Sequence, residues 1–271
     1  MSIVSDSYAK DPNREWERLT RRPYNTLEFA ITMHFLSKHL PAGSTILDAG
    51  GGPGRYAIHL CRSGHSVTLL DLTPALLDLA RDKVSQEPKE VRSRLAEFVQ
   101  GDLRDLSRFA DASFDATICL GGAISHLPQP EDHLRAMSEL ARVTRPGGLV
   151  FVAAIGYLAV LRTTLLEAPY ELVDDGIMDR FFATGNALAC GGMDWHFFRA
   201  QELADLAESC GLAILEMAGC QGLSAGLPEA TNSVAGDQQQ WNRWMDILLS
   251  TASEPAVADM SEHILYIGRK K

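Results

Sequence analysis

Two kinds of residue in this chain have the type and spacing to do chemistry. The first is a run of nearly bare main chain, Asp48-Ala49-Gly50-Gly51-Gly52-Pro53-Gly54, between Ile46-Leu47 and Arg55-Tyr56-Ala57. It reads as a short apolar strand with an acid at its tip, a glycine-rich turn, and the start of a helix. Such a passage carries backbone N–H groups up to a ligand at the positive end of the helix dipole. A Cβ there would block both the tight turn and the close approach. Two more acids close apolar runs, Asp71 in Ser66–Leu72 and Asp102 in Phe98–Leu103. The second kind is histidine. An imidazole's ordinary pKa lies near neutrality, so His126 in Ser125-His126-Leu127 or His196 in Asp194-Trp195-His196-Phe197-Phe198 could take a proton from a nucleophile. A packing or loop-capping histidine is the competing reading of each. His59 and His65 flank the first helix after the glycine turn and read as surface residues.

These residues need a scaffold that brings strand ends together. Apolar runs predict strands near 45–49, 66–71, 96–100, 114–119 and 148–154, and helices near 54–64, 74–87, 131–144 and 200–210. Thr73-Pro74 supplies an N-cap and a first-turn proline for the second of these helices. Alternating strands and helices imply an α/β fold with a parallel sheet and right-handed crossovers. Two amphipathic helices precede it, Tyr8–Arg22 and Tyr24–Leu40; the first is expected to cover the site, while the second could equally pack on a sheet edge. After 154 the rhythm breaks. Helical patterns over Leu158–Leu166 and Pro169–Met178 and a glycine-bearing stretch Thr184–Met193 read as a cap beside the carboxyl ends of the strands, where open α/β sheets bind ligands. Leu212–Met217 and His263–Gly268 read as the last two strands. A helix over Gly236–Ala252 between them carries Trp241, Trp244, Met245 and Leu248 on one face, more as core than as a substrate box. The chain thus divides into 1–42, 43–155, 156–193 and 194–271.

The pattern Asp48-x-Gly50-x-Gly52-x-Gly54, then acids closing two following strands, then Arg145-Pro-Gly-Gly before the fifth, resembles class I methyltransferases dependent on S-adenosylmethionine (SAM). The resemblance runs in order from Ser44 to Ala154. It implies a seven-stranded, mostly parallel Rossmann-like sheet with its last strand antiparallel, an N-terminal helical cover and a helical cap inserted after strand five. It also implies roles. Gly50, Gly51, Gly52 and Gly54 pass under the methionine portion and ribose; Asp48 orients the ammonium group; Asp71, with Leu72 beside it, binds the ribose hydroxyls. Asp102 accepts from the adenine amino group, the Leu103 N–H meets the ring, and the Leu120 carbonyl holds the ammonium group. Tyr8, Tyr24, Tyr157, Trp195 and Phe197 are the expected acceptor-site aromatics, with His126 or His196 as catalytic base and S-adenosylhomocysteine as product. The ribose reading predicts that Asp71→Ala weakens SAM binding at least about tenfold with little change in melting temperature.

The methyl donor is a sulfonium, and its transfer is an in-line displacement that asks mainly for alignment and exclusion of water. The acceptor is expected to be a small molecule, attacked through O, N, S or C. A net charge of −10 argues against a nucleic-acid backbone as partner. Leu120-Gly121-Gly122-Ala123 lacks the Asn/Asp-Pro-Pro-aromatic tetrapeptide of enzymes that methylate nucleic-acid amines, and there is no Pro-Cys pair for attack on cytosine. Asp115 sits at the wrong end of its strand for a metal, so none is expected. Five cysteines without a C-x-x-C pair read as free thiols, and a Cys119–Cys190–Cys220 cluster as the lesser alternative. No stretch is long enough to span a bilayer and the N-terminus shows no leader, so a cytoplasmic protein is expected, as a monomer or a homodimer. Two other readings compete. One is a SAM-binding protein that does not methylate, a cyclase, an isomerase or a regulatory partner. The other is a nicotinamide oxidoreductase, since Gly52, Gly54 and Ala57 also satisfy the dinucleotide fingerprint.

Overall fold

The computed structural model describes residues 3–189 and 193–271. Three helices come first, α1 (Ile3–Ala9), α2 (Pro12–Arg18) and α3 (Pro23–His39). The helix expected over 8–22 is broken in two. Pro12 has no N–H to continue α1, and Asp11 caps α2 by accepting from the Arg14 N–H at 3.2 Å.

Strands and helices then alternate: β1 (Thr45–Ala49), α4 (Arg55–Arg62), β2 (Ser66–Asp71), α5 (Pro74–Ser85), α6 (Lys89–Arg92), β3 (Leu95–Gln100), β4 (Phe114–Cys119), α7 (Pro130–Val143) and β5 (Thr144–Ile155). The segment after β5 holds α8 (Tyr157–Glu167), a 3-10 turn (Pro169–Val173), α9 (Asp175–Thr184) and a hairpin of β6 (Asn186–Ala189) and β7 (Met193–His196). The expected helix over Pro169–Met178 is therefore the 3-10 turn and the first part of α9. Asp174 ends the turn and caps α9 by accepting from the Ile177 N–H. The chain closes with α10 (Ala200–Ser209), β8 (Leu212–Gly219), α11 (Pro228–Val234), α12 (Gln238–Thr251), α13 (Pro255–Met260) and β9 (His263–Lys270).

The main sheet runs β3-β2-β1-β4-β5-β9-β8. The first five strands are parallel, and β9 lies antiparallel to both β5 and β8. Chain order reverses between β1 and β4, which opens a crevice at their carboxyl ends. Asp48 stands at that point, in register with Leu69 and Ile118. Both faces of the sheet are covered, so β5 is apolar from Leu149 to Ile155 instead of alternating. Its Leu149, Phe151 and Ala153 face one core with α3 and α4, while Val150, Val152 and Ala154 face the other with α7 and α10.

Leu248 of α12 is fully buried in the first core, and Trp241, Trp244 and Met245 pack around it, with the Trp244 indole N–H donating to Ser224 at 2.8 Å. These aromatics are core residues. His65, expected at the surface, is buried; His59 is half-buried with its ring edge-on to Phe29. Thr73 does precede α5, but its side chain forms no cap. Cys61, Cys119, Cys210 and Cys220 are free thiols, and Cys190 lies outside the described residues.

Candidate functional site

The glycine turn leaves β1 and folds back over β2. The N–H groups of Gly50 and Gly51 both donate to the Leu70 carbonyl, at 2.7 and 3.1 Å. Gly50 has φ +81°, and a Cβ on it would stand 2.8 Å from that of Ala123. A Cβ on Gly51 would stand 2.5 Å from Asp48 Cγ. Bare main chain here makes room for a carboxylate beneath the loop. Asp48 is fully buried and neither of its oxygens meets a full hydrogen bond. Burial pushes its carboxyl up to about 7, and the nearby charge of Asp71 adds to the rise.

Asp71, at the tip of β2, binds the loop directly. One oxygen accepts from the Gly52 N–H and the other from the Thr73 N–H, each at 2.8 Å. Burial nevertheless outweighs these donors and lifts its carboxyl to about 6. Beyond β3, Asp102 is wrapped by Arg104, whose Nη2 lies 2.7 Å from one oxygen and whose Nε and main-chain N–H reach the other. Burial works against it, but the hydrogen bonds and charge of Arg104 hold the Asp102 carboxyl below its ordinary range. Arg104 also reaches Asp132 at 3.0 Å. Of the ten expected cofactor residues, nine line one cleft: Asp48, Gly50, Gly51, Gly52, Asp71, Leu72, Asp102, Leu103 and Leu120. Gly54 does not line it; it caps α4 with φ +79°, behind the loop.

The N-terminal helices form the roof. Val4 and Tyr8 of α1 and Glu15 and Arg18 of α2 line the same cleft. Arg55, the first residue of α4, stacks its guanidinium 4.0 Å from the Trp16 ring centre and donates to the Trp16 carbonyl. Arg18 forks onto buried Glu28 of α3 at 2.5 and 3.2 Å and reaches Glu15 at 2.8 Å. A Cβ on Gly121, just past β4, would stand 3.1 Å from Arg18 Nη2, so this guanidinium sits against the end of β4 beside Leu120. Arg18, Glu15, Arg104 and Asp132 escaped the sequence reading. Arg18 and Arg104 each have one partner close in sequence, but what brings them to the site is the pairing with Glu28 and with Asp132, ten and 28 residues away.

His126 lines the cleft from a 3-10 turn, Ala123–His126, that follows β4. Its Nε2 lies 2.9 Å from the Tyr8 hydroxyl. Burial, then the charge of Glu15, pushes the Tyr8 phenol up, and burial pushes the His126 imidazole down to about 4. The neutral phenol and the neutral ring share this hydrogen bond, and the buried Nδ1 of His126 has no partner among the described residues. The Trp195 ring packs on this imidazole, 3.9 Å between centres.

The other aromatic and histidine expectations are not brought to this cleft. Both ring nitrogens of His196 are occupied, Nδ1 by Asn186 Oδ1 and Nε2 by Glu202 Oε1, each at 2.7 Å, and the ring is buried away from the cleft. Tyr157 and Phe197 form a small apolar core with Phe181, the Tyr157 and Phe181 rings stacked at 4.4 Å. Tyr24 turns its hydroxyl onto Glu262, and Trp195 reaches the site only through His126. Among the described residues, no three His, Cys, Asp or Glu side chains gather as metal ligands would, and no helix is long and apolar enough to cross a membrane.

The site's composition suits a cationic nucleoside. It offers a main-chain cradle, two buried carboxylates that burial lifts toward neutrality, and an acid just beyond β3 forked by Arg104. Comparison with known proteins agrees. Residues 47–152 match the methyltransferase domain family. A ubiquinone biosynthesis O-methyltransferase of Xanthomonas axonopodis pv. citri is 30% identical over 152 residues, 55% of this chain and 59% of that protein. The chain thus spans under two thirds of the curated relatives it matches. Among solved structures, a SAM-dependent methyltransferase of Methanosarcina mazei superposes with a TM-score of 0.59 at 20% identity, covering 87% of this chain and 96% of that one. The 1,6-didemethyltoxoflavin-N1-methyltransferase of Burkholderia thailandensis, solved with its substrate and S-adenosylhomocysteine, gives 0.57 at 16% identity, over 99% and 88%. Residues 47–152, from β1 into β5, thus resemble the methyltransferase domain family, and the chain as a whole has the fold of SAM-dependent methyltransferases of known structure.

Proposed function

We propose that this chain moves a methyl group from SAM to the hydroxyl of a small molecule, with residues 1–42 closing over the donor and residues 156–193 receiving the acceptor. The observation that carries the reading is the meeting, in one cleft, of the glycine turn, the Asp71 carboxylate and a neutral His126. Bound SAM would supply an electrophilic methyl on a sulfonium. Asp71 would hold the ribose hydroxyls with the lone pairs left beside its two N–H donors, and Asp102 the adenine amino group in the same way. Leu103 would offer its N–H to the ring. The Leu120 carbonyl and ionised Asp48 would face the ammonium group, and Arg18 the carboxylate, since its guanidinium sits at the end of β4.

His126 would take the acceptor's proton at Nε2, once the acceptor hydroxyl replaces that of Tyr8. A ring pushed down to about 4 is a weak base. It is sufficient for a hydroxyl, because an oxygen that gains a methyl before losing its proton becomes a strong acid. It would be a poor base for an amine, whose alkylated form holds its proton. The test is release of S-adenosylhomocysteine with panels of small hydroxyl and amine compounds. Turnover is expected with hydroxyls, and His126→Ala should lower kcat about 100-fold while leaving the Kd for SAM within about threefold. Turnover confined to amines would overturn the acceptor class, and absence of heat on titration with SAM would overturn the whole reading.

A further inference from the structure

The β6–β7 hairpin is tied to the turn that carries His126 by a continuous line of polar contacts. Asn186 and His196 are cross-strand partners, so their side chains share one face of the hairpin. The Asn186 amide nitrogen donates to the Pro128 carbonyl at 2.9 Å. That contact fixes the amide's orientation and turns its oxygen toward His196 Nδ1, 2.7 Å away. On the far side of the ring, Nε2 meets Glu202 Oε1 at 2.7 Å. Glu202 lies in the first turn of α10, and its other oxygen accepts the Arg199 N–H at 3.3 Å. The line therefore starts on a helix of the main fold, crosses the inserted hairpin, and ends on the main chain two residues past His126.

Two further contacts hold the same turn. His133, on α7, bonds the carbonyl of Leu127 through Nε2, and its ring packs against His196 with 4.5 Å between centres. Trp195, whose side chain leaves the opposite face of β7, lies against the His126 ring itself. The carbonyls of residues 127 and 128 are thus each caught by a buried side chain, and the imidazole is backed by an indole. Leu127 and Pro128 also line the cleft, so displacement of this turn would move its wall.

We propose that Asn186 and His196 are positioning residues, and that the inserted hairpin sets His126 in the cleft through the Pro128 carbonyl and the Trp195 ring. Neither side chain lines the cleft, so each acts through another group. The proposal rests on the reading of His126 as proton acceptor, but concerns only what holds it there. A segment that receives the acceptor would then also set the base that serves it.

The experiment is histidine-selective nitrogen NMR on the full chain, saturated with S-adenosylhomocysteine, with the His126 resonances assigned by His126→Gln. Asn186→Asp keeps the shape and the acceptor for His196 and replaces the donor to Pro128 by a carboxylate oxygen; Asn186→Ala removes the donor without adding that charge, so the two are read together. Glu202→Gln keeps an acceptor for Nε2 and serves as the conservative control. In the wild type the His126 ring should titrate near 4. In Asn186→Asp and in Asn186→Ala the midpoint should rise by about one pH unit or more as the ring gains access to water. In Glu202→Gln it should stay, and the His59 titration should stay in all three. An unmoved His126 midpoint in Asn186→Asp overturns the positioning role and leaves the base reading intact. Full turnover in His126→Ala does the reverse. Should Asn186→Ala fail to fold, the neutral and similarly sized Asn186→Leu takes its place.

Discussion

Asp71 shows how a side chain legible in sequence can carry a second duty that is not. The family resemblance makes it a candidate ligand for ribose, and on that ground alone Asp71→Ala would spare the fold. In the structure both its oxygens already hold main-chain N–H groups, those of Gly52 and Thr73. Removing the carboxylate leaves two sheltered donors without partners, at roughly 1–3 kcal/mol each. Asp71→Ala should therefore lower SAM affinity at least about tenfold and also lower the melting temperature of the free protein by about 4 °C or more. Calorimetric titration and a thermal melt check the two halves separately; a melt unchanged from wild type would show that the loop does not depend on this anchor. The same contrast runs through the site. Asp48, Asp102 and the glycines could be found because strand ends and turns are local events. Arg18 could not, because its meaning comes from Glu28 and from the bare Gly121, ten and 103 residues away. His196 is a similar case: its type suggests a base, while its place in the structure is set by Asn186 and Glu202, which meet both of its ring nitrogens.

At the scale of elements, the core strands and helices follow from period and punctuation, and their order follows from alternation. The cover and the insertion were harder. A proline split the first helix, and the pairing of β6 with β7 was invisible because these strands are four residues each and, among the described residues, pair with one another outside the main sheet. The cover has one strong fastening to α4, the stack of Arg55 on Trp16 with its hydrogen bond to the Trp16 carbonyl. A partly desolvated cation–π pair contributes roughly 0.5–2 kcal/mol. Trp16 lies outside the central sheet, so Trp16→Ala should leave the main melting transition in place and loosen only α1 and α2. The expected outcome is faster proteolytic cleavage within residues 1–22 and a Kd for SAM raised about threefold to tenfold. Bound SAM should restore protection in both proteins. Equal cleavage rates in Trp16→Ala and wild type would mean that the cover is held elsewhere.

The whole molecule carries an unusual balance of protons. Unfolded carboxyls titrate near 4 and unfolded imidazoles near 6.5. Folding lifts Asp48 to about 7 and Asp71 to about 6, and lowers both His126 and His133 to about 4. A raised acid stabilises the fold below its unfolded value and loses that contribution as pH climbs through the folded one. A lowered histidine does the opposite, contributing above its unfolded value and failing as pH falls toward the folded one. Between about pH 4.5 and 6 the two carboxyls hold protons only in the folded state, and the two imidazoles hold them only in the unfolded state. Their slopes therefore cancel, and these four groups leave the free protein's stability nearly flat across that window. A cationic donor in the cleft breaks the cancellation by favouring both carboxylates in ionised form. Binding must then release protons, and affinity must tighten up to about tenfold per pH unit for each proton released. The Kd for SAM should accordingly fall by at least about tenfold from pH 5 to pH 7, and the shift in melting temperature at saturation should grow in step. Titrations at pH 5.5 in buffers of different ionisation enthalpy should show between one and two protons released, and Asp48→Asn should remove the share owed to Asp48. A Kd constant across this range would mean that the buried acids keep their protons with the donor bound, and that the charge of the sulfonium is answered by other groups.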